Sequence, residues 1–380
     1  MTAKNKDILY FDYNSTTLLD PRVLDAMLPF LKENFANPSS THHFGQSINE
    51  KVIQAREQIA EFINAESKEL IFTSGATEAI NLAIKGIAEN YSGKGKHIIT
   101  VSTEHKAVLD TCKYLESKGY EITYLPVQPN GLIDLAVFEQ SLKPDTILVS
   151  VMYVNNETGV IQPIKKIASI THSKGALFMT DATQAVGKIA VDVDDLGVDL
   201  LCFSGHKMYA PKGIGALYVR QRGNKVKLTP QIHGGGHEQG LRSGTLNVPG
   251  IIALGKACEI ASQEMSDNQA KICDLRDVLE TQLLKLPKTS LNCDSEIRIF
   301  NTTNICFKGQ DANVLIGRIK KVAVSNGSAC SSAVIEPSYV LKAMGLGDED
   351  AFASIRFSLG KYNTIEDIET VVNRIKEVTQ

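Results

Sequence analysis

"FSGHKMYAPKGIGAL", Phe203 to Leu217, decides how this chain is read. It begins on the end of the apolar run "VDLLCF", which has the composition of a buried strand. Ser204, His206 and Lys207 stand at that strand's end, in a stretch that also holds a proline and three glycines. Taken alone, this is a polar surface turn. In an open α/β sheet, however, ligands sit beyond the carboxyl ends of the strands, so a hydroxyl, an imidazole and an amine there also make a candidate site.

The neighbouring sequence supports such a sheet. Short β-rich runs recur as "ELIFT", "HIITVS", "YEITYLPV", "TILVSVMYV", "ALFMTDA", "DLLCF" and "GALYVR", mostly separated by segments of helical period. That alternation predicts βαβ units and a largely parallel sheet with helices on both faces. Asp20-Pro21 reads as an N-cap and first helical residue, with Pro29 expected to kink or break the helix that follows. From Pro249 a long helical pattern runs to "LLKL", beyond which "TTNICF", "KKVAVS", "SIRFS" and a final helix form a smaller α/β lobe.

Composition bounds the function. The chain has 380 residues and a net charge of -3, with 43% hydrophobic and 22% charged residues. A body of this size buries about 75% of its unfolded surface and builds deep pockets. No window approaches the ~18 apolar residues of a membrane span, and scattered lysine and arginine give no basic patch for nucleic acid. The start, "MTAKNKDILYFDY", carries no apolar signal core, so a cytoplasmic location is expected. Seven cysteines without a C-x-x-C pair argue against a disulfide framework or a zinc site.

Glycine and histidine patterns elsewhere are decoys. Gly250 to Ala257 nearly matches a phosphate-binding loop, but ends on alanine and encloses four apolar residues suited to a helix. Gly234-Gly235-Gly236 never completes a dinucleotide fingerprint, and it separates His233 from His237 in a way that forbids a shared helical face.

Polar groups at the other strand ends complete the picture. Ser74-Gly75-Ala76-Thr77-Glu78 opens a helix and offers N–H groups to an anion. Thr103-Glu104-His105 supplies an imidazole to stack on a planar ligand or move protons, and Asn155 to Gly159 forms a polar turn. Asp181, with Gln184 close behind, is a carboxylate closing a buried strand, which calls for a cationic partner. Lys207 lies 26 positions further on, room for one crossover and one strand. An amine able to desolvate, a carboxylate for a pyridinium nitrogen, a phosphate cup and a stacking imidazole are the parts that bind pyridoxal phosphate. Lys207 would form the Schiff base and Asp181 would keep the ring nitrogen protonated.

On "YFDYNSTT", "SGATEAIN", "VNNETG", "DATQ", "SGHKMYAPKGIGA", "HGGGHEQGLRSGT", "SNGSACSS" and "IRFSLG", the chain resembles the cysteine desulfurases of the class V aminotransferase group, almost end to end. The resemblance implies the fold type I architecture of pyridoxal phosphate transferases: a mostly parallel seven-stranded sheet with helices on both faces plus a smaller α/β lobe. It divides the chain into a large cofactor domain, 15–257, and a small domain, 1–14 with 258–380, carrying a mobile cysteine loop near 325–335. It makes Lys207 the cofactor lysine, puts Asp181 on the ring nitrogen, and sets Asn156 and Gln184 near the ring oxygen. Ala76, Thr77, Ser204 and His206 would hold the phosphate, with His105 stacked on the ring as acid and base. Thr245, in "RSGT", would reach the phosphate of a neighbouring subunit, which implies a homodimer.

At the substrate end, Arg356 in "SIRFSLG" would clamp an amino acid carboxylate, with Asn156 also in contact. Cys330, set among small residues in "SNGSACSSAVIEPSY", would attack the sulfur of L-cysteine, leaving a persulfide and alanine. Cys293 in "LNCDS" is the other loop thiol. The sulfur would pass to an acceptor or iron–sulfur scaffold protein. The alternatives are a selenocysteine lyase or another class V aminotransferase or lyase, which would not need Cys330 as acceptor, and a non-catalytic assembly partner, which would hold no lysine-bound cofactor. Two departures from the family pattern bear on substrate preference: Asn14-Ser15 replaces a small, alanine-containing pair, and Gln239 stands where a basic residue is frequent. The sequence ends at Gln380 without the C-terminal extension by which housekeeping desulfurases engage a scaffold, which leaves the acceptor open.

Overall fold

In a computed structural model that describes residues 8–293, 296–327 and 336–379, every one of the seven β-rich runs is a strand. After a short β1 (Leu9–Tyr10), they are β2 (Leu70–Thr73), β3 (His97–Val101), β4 (Glu121–Leu125), β5 (Thr146–Ser150), β6 (Leu177–Asp181), β7 (Leu200–Ser204) and β8 (Gly215–Val219). They form one sheet in the order β2-β8-β7-β6-β5-β3-β4. Only β8 runs antiparallel to its neighbours, so β2, β3, β5, β6 and β7 all deliver their carboxyl ends to the same rim. This is the fold type I sheet.

Alternation along these strands fills two cores. Phe72, Val101, Phe178, Phe203 and Tyr218 pack on one face, with the helix His43–Phe62 and the first half of the helix Val248–Leu283. Ile71, Ile98, Met179, Cys202 and Leu217 face the other side, under the helix Ala76–Asn90. A parallel sheet covered on both faces has strands apolar throughout, which is why these runs were legible.

The remaining strands build the smaller lobe: β9 (Thr289–Leu291), β10 (Thr302–Phe307), β11 (Val322–Ala323) and β12 (Ser354–Ser358). β10 lies between β9 and β12, while β1 pairs with β11, so the N-terminal strand joins the C-terminal part of the chain. The chain then passes through Asp12–Thr17 across the rim of the large sheet, where Thr17 N–H donates to the carbonyl of His206 at 2.9 Å.

Asp20 caps the helix Pro21–Lys32 by accepting from Arg22 N–H. The expected break at Pro29 does not occur; the helix runs three residues further. Its ring removes the hydrogen bond to the carbonyl of Asp25, and Asp25 is exposed, where solvent can take the place of that bond. Gly250 to Gly255 lies inside the 36-residue helix Val248–Leu283, as its apolar filling required. Among the described residues no helix is long and apolar enough to cross a membrane.

Candidate active site

The polar strand ends meet in one cleft of about 490 Å³. It is lined by Ala76, Thr77, His105, Asn156, Asp181, Gln184, Ser204, His206, Lys207 and Arg356, among others. Ala76 and Arg356, 280 positions apart, share this space because parallel strands of the large sheet end on one side and β12 of the smaller lobe brings Arg356 to that rim.

At one end, the helix Ala76–Asn90 starts without a side-chain cap among the described residues, and its first-turn residues Ala76, Thr77 and Glu78 line the cleft. A 15-residue helix directs its positive end there, which suits a phosphate. Gly75 and Gly215 are needed for this cup: a Cβ on Gly215 would stand 2.7 Å from the Gly75 Cα, and Gly75 itself has φ of 153°. His206 keeps a neutral ring, with burial and the neighbouring Lys207 and Lys212 charges pulling its pKa down to about 4. Its Nδ1 lies 3.1 Å from Thr16 Oγ1.

On the cleft floor, the turn Gly205–Lys207 after β7 presents Lys207, whose Nζ donates to the carbonyls of Asn14 at 2.6 Å and Ser15 at 2.7 Å. Asp181 ends β6 and is 5% exposed. Its partners are the Thr183 N–H at 2.9 Å and the Cys202 thiol, neither of them a cation. The cationic partner expected from its burial is therefore not a lysine or arginine of the described residues. A protonated ring nitrogen fits that place. Asn156 Oδ1 and Thr183 Oγ1 are buried at this wall with no hydrogen-bond partner among the described residues, as a cradle for a polar ring requires.

His105 caps the helix Lys106–Glu116, its Nδ1 accepting the Ala107 N–H at 3.1 Å. The proton of the neutral ring is thereby placed on Nε2. Burial lowers its pKa, with Asp181 opposing and Lys207 assisting that shift. The ring is thus a base at neutral pH.

Arg356, on β12, is 4% exposed. Its guanidinium donates to the carbonyl of Asn156 at 2.8 Å, to Asp12 at 2.5 Å and to Ser15 Oγ at 2.8 Å, while Nε is buried without a partner among the described residues. The unusual Ser15 is thus a direct contact of the arginine. Backbone bonds in both directions join Arg356 to Ser325, so the segment that contains Cys330 departs beside this residue. Cys330 itself lies outside the described residues. Cys293 is buried, its thiol 3.1 Å from the Thr158 carbonyl and pushed up to about 11 by burial, so it is an inert packing thiol rather than a reactive loop thiol. Thr245 is exposed and does not line the cleft of its own chain.

Asn14 and Thr183, which line the cleft, and the buried Lys188 behind Gln184 were not singled out as site residues from the sequence. Asn14 was visible only as a departure in "YFDYNSTT", and Thr183 sits inside "DATQ". Lys188 gave no signal, because a lysine after "AVG" reads as solvated.

Glu157, in "VNNETG", joins both borders of the Cys330 segment. It accepts the Ser338 hydroxyl at 2.5 Å, and a Cβ on Gly327, at φ of 77°, would lie 2.3 Å from its Oε2. Burial pushes its carboxyl up to about 7 from the usual 4.5, with Ser338 and Arg356 pulling it back. Since the folded chain holds this proton more tightly, the stability it contributes is full below about pH 4.5 and is lost as pH rises through about 7. Glu157→Gln is expected to remove that loss, amounting to at most about 3 kcal/mol. Thermal melts of both proteins across this range check it; parallel curves would refute it.

The family description Aminotransferase class-V matches residues 9–371. The chain belongs to this family, whose members are pyridoxal phosphate enzymes of fold type I. Within it the chain groups with the cysteine desulfurases. It is similar to cysteine desulfurase IscS of Methylococcus capsulatus, 51% identical over 97% of this chain and 92% of that protein. The same enzyme of Ehrlichia chaffeensis is 51% identical over 98% and 92%. Among solved structures, a NifS-like protein superposes with a TM-score of 0.92 at 39% identity, covering 98% of this chain and 99% of that one. A structure titled "SspA in complex with cysteine" has a TM-score of 0.82 at 38% identity, covering 93% and 99%.

Proposed function

We propose that this chain is a pyridoxal phosphate-dependent L-cysteine desulfurase that releases alanine and passes sulfur through Cys330 to an acceptor protein. The observation that carries the reading is the buried Asp181 carboxylate, which lines the cleft with no lysine or arginine of the described residues in salt-bridge contact, in the same space as Lys207.

The first-turn amides at Ala76 and Thr77, with Ser204 and His206, would hold the phosphate; Asp181 would bond the ring nitrogen, and His105 would cover the ring. Asn156 and Gln184 would meet the ring oxygen, and Lys207 would hold the aldehyde carbon. Bound there, pyridoxal phosphate supplies an electron sink for the pair left when the Cα proton departs. Arg356 binds and orients the substrate carboxylate through its unpartnered Nε side, and Asn156 contacts the same group. The Lys207 amine, on the cleft floor, would take the Cα proton of the bound substrate. The neutral His105 accepts the thiol proton. The Cys330 thiolate then attacks the substrate sulfur, the carbon–sulfur bond breaks, and its electron pair stays with carbon, which takes a proton to become alanine. Cys330 retains the sulfur as a persulfide.

Further parts of the reading follow from exposure and similarity. Thr245 is surface-exposed on the loop before the helix Val248–Leu283, as a residue that serves a partner's phosphate must be. Phe35, 77% exposed and packed edge-on against Phe44, offers apolar surface for a homodimer. Likeness to proteins named IscS supports delivery of sulfur for iron–sulfur clusters or other sulfur-containing cofactors, in the cytoplasm.

The test is to add L-cysteine to the purified holoenzyme and assay alanine and protein-bound persulfide in the first turnover. Equal yields are expected. Alanine without persulfide would turn the assignment to a lyase that does not use Cys330.

A further inference from the structure

Behind the cleft floor lies a small cavity of about 30 Å³, bordered by Tyr13, Lys188, Lys207 and Asn301 among others. Lys188 follows Gln184 by four residues, across a run of tight turns closed by Val186 N–H to the Ala182 carbonyl and Lys188 N–H to the Ala185 carbonyl. Its side chain points inward and is 8% exposed. The amine donates to Gln184 Oε1 at 2.5 Å and to Asn14 Oδ1 at 3.2 Å.

A glutamine amide has one accepting and one donating side, and only its partners decide which way it faces. With Oε1 taken by Lys188, the NH2 side turns the other way and donates to the Asn14 carbonyl at 2.8 Å. That same oxygen accepts Lys207 Nζ at 2.6 Å. Asn14 cannot yield, because its Oδ1 also accepts from Asn301 at 3.2 Å and its Nδ2 donates to Thr302 Oγ1 at 2.9 Å. Flipping Gln184 would set its Oε1 against the Asn14 carbonyl, two buried acceptors face to face.

The charged groups that face Lys188 are Lys207 and Arg356, both cations, and burial with their repulsion pulls the Lys188 amine well below its ordinary pKa. A neutral amine has two N–H bonds, which match the two acceptors it meets.

We propose that Lys188 is a positioning residue: its amine, held between Gln184 Oε1 and Asn14 Oδ1, locks the Gln184 amide with its N–H side towards the cleft floor, next to Lys207. The inference rests on the proposed cofactor placement, in which a donor at Gln184 meets an anionic ring oxygen. Lys188 touches neither substrate nor cofactor; it acts through Gln184.

The test uses holoenzymes of wild type, Lys188→Met and Lys188→Gln, titrated by visible absorbance from about pH 5 to 10, with thermal melts alongside. The methionine variant removes the donor at similar volume, and the expected result is a shift of about one pH unit or more in the spectral midpoint. A kcat lower by about 10-fold with little change in KM should accompany it. Lys188→Gln keeps an N–H donor and is expected to titrate like wild type. Adding Gln184→Met to Lys188→Met should shift the midpoint by less than the sum of the single effects. The proposal is overturned if both Lys188 variants titrate alike, or if the Gln184 and Lys188 effects simply add. If wild type itself shows no absorbing lysine-bound group, the cofactor reading fails instead, and the two failures are told apart.

Discussion

Lys207→Ala is expected to lower turnover of L-cysteine by about 10⁴-fold, the upper end of the range for a lost proton-transfer group. Two roles vanish together, the covalent hold on the cofactor and the amine that takes the Cα proton, so the loss should exceed that of any other single change on the cleft floor. Folding should survive. The Lys207 amine donates to the backbone carbonyls of Asn14 and Ser15, and alanine leaves a space open to the cleft for water to reach them. Borohydride reduction and peptide mapping give an independent readout: wild type should carry a pyridoxyl group on Lys207 and the variant none. A pyridoxyl group found on another lysine would overturn the assignment.

Cys330→Ser should abolish protein-bound persulfide and slow alanine release by more than about 10³-fold, as for a deleted nucleophile. A hydroxyl stays protonated where a thiol ionises, and it forms no persulfide. Reach supports the role: Cys330 is five positions from Ser325, a span of at most about 18 Å, and Ser325 is paired with Arg356 at the cleft wall. Of the other thiols, Cys112, Cys202, Cys258, Cys293 and Cys306 are buried, and burial raises each of them. Mass spectrometry after L-cysteine should therefore find the added sulfur on Cys330. Unchanged alanine release from the serine variant would reassign the reaction to a lyase.

Much of the site was legible because a buried parallel strand announces its own end. In "ALFMTDA" and "VDLLCFSGHK" the change from apolar to polar marks the rim, and Asp181 and Ser204 are the last residues of their strands in the structure. The glycines of "SGATEAIN" and "KGIGA" were readable as a helix start and a tight turn, yet their shared purpose, the approach of Gly215 to Gly75, joins segments 140 residues apart. The expected break at Pro29 failed for a local reason as well, since the carbonyl it orphans is on the exposed side of its helix.

By itself, then, the sequence determined the order of strands and helices, the rim on which polar groups collect, and the lysine and carboxylate that define the chemistry. These depend on periodicity and composition within a dozen residues. Tertiary structure alone decided which groups share a hydrogen bond: Arg356 with Asp12 and Ser15, Glu157 with Ser338, and Lys188 with Gln184 and Asn14. Those pairings set which way an amide faces and how a guanidinium is aimed. They arise only when the N-terminal strand crosses the rim and the small lobe closes against it, and no local pattern carries that information.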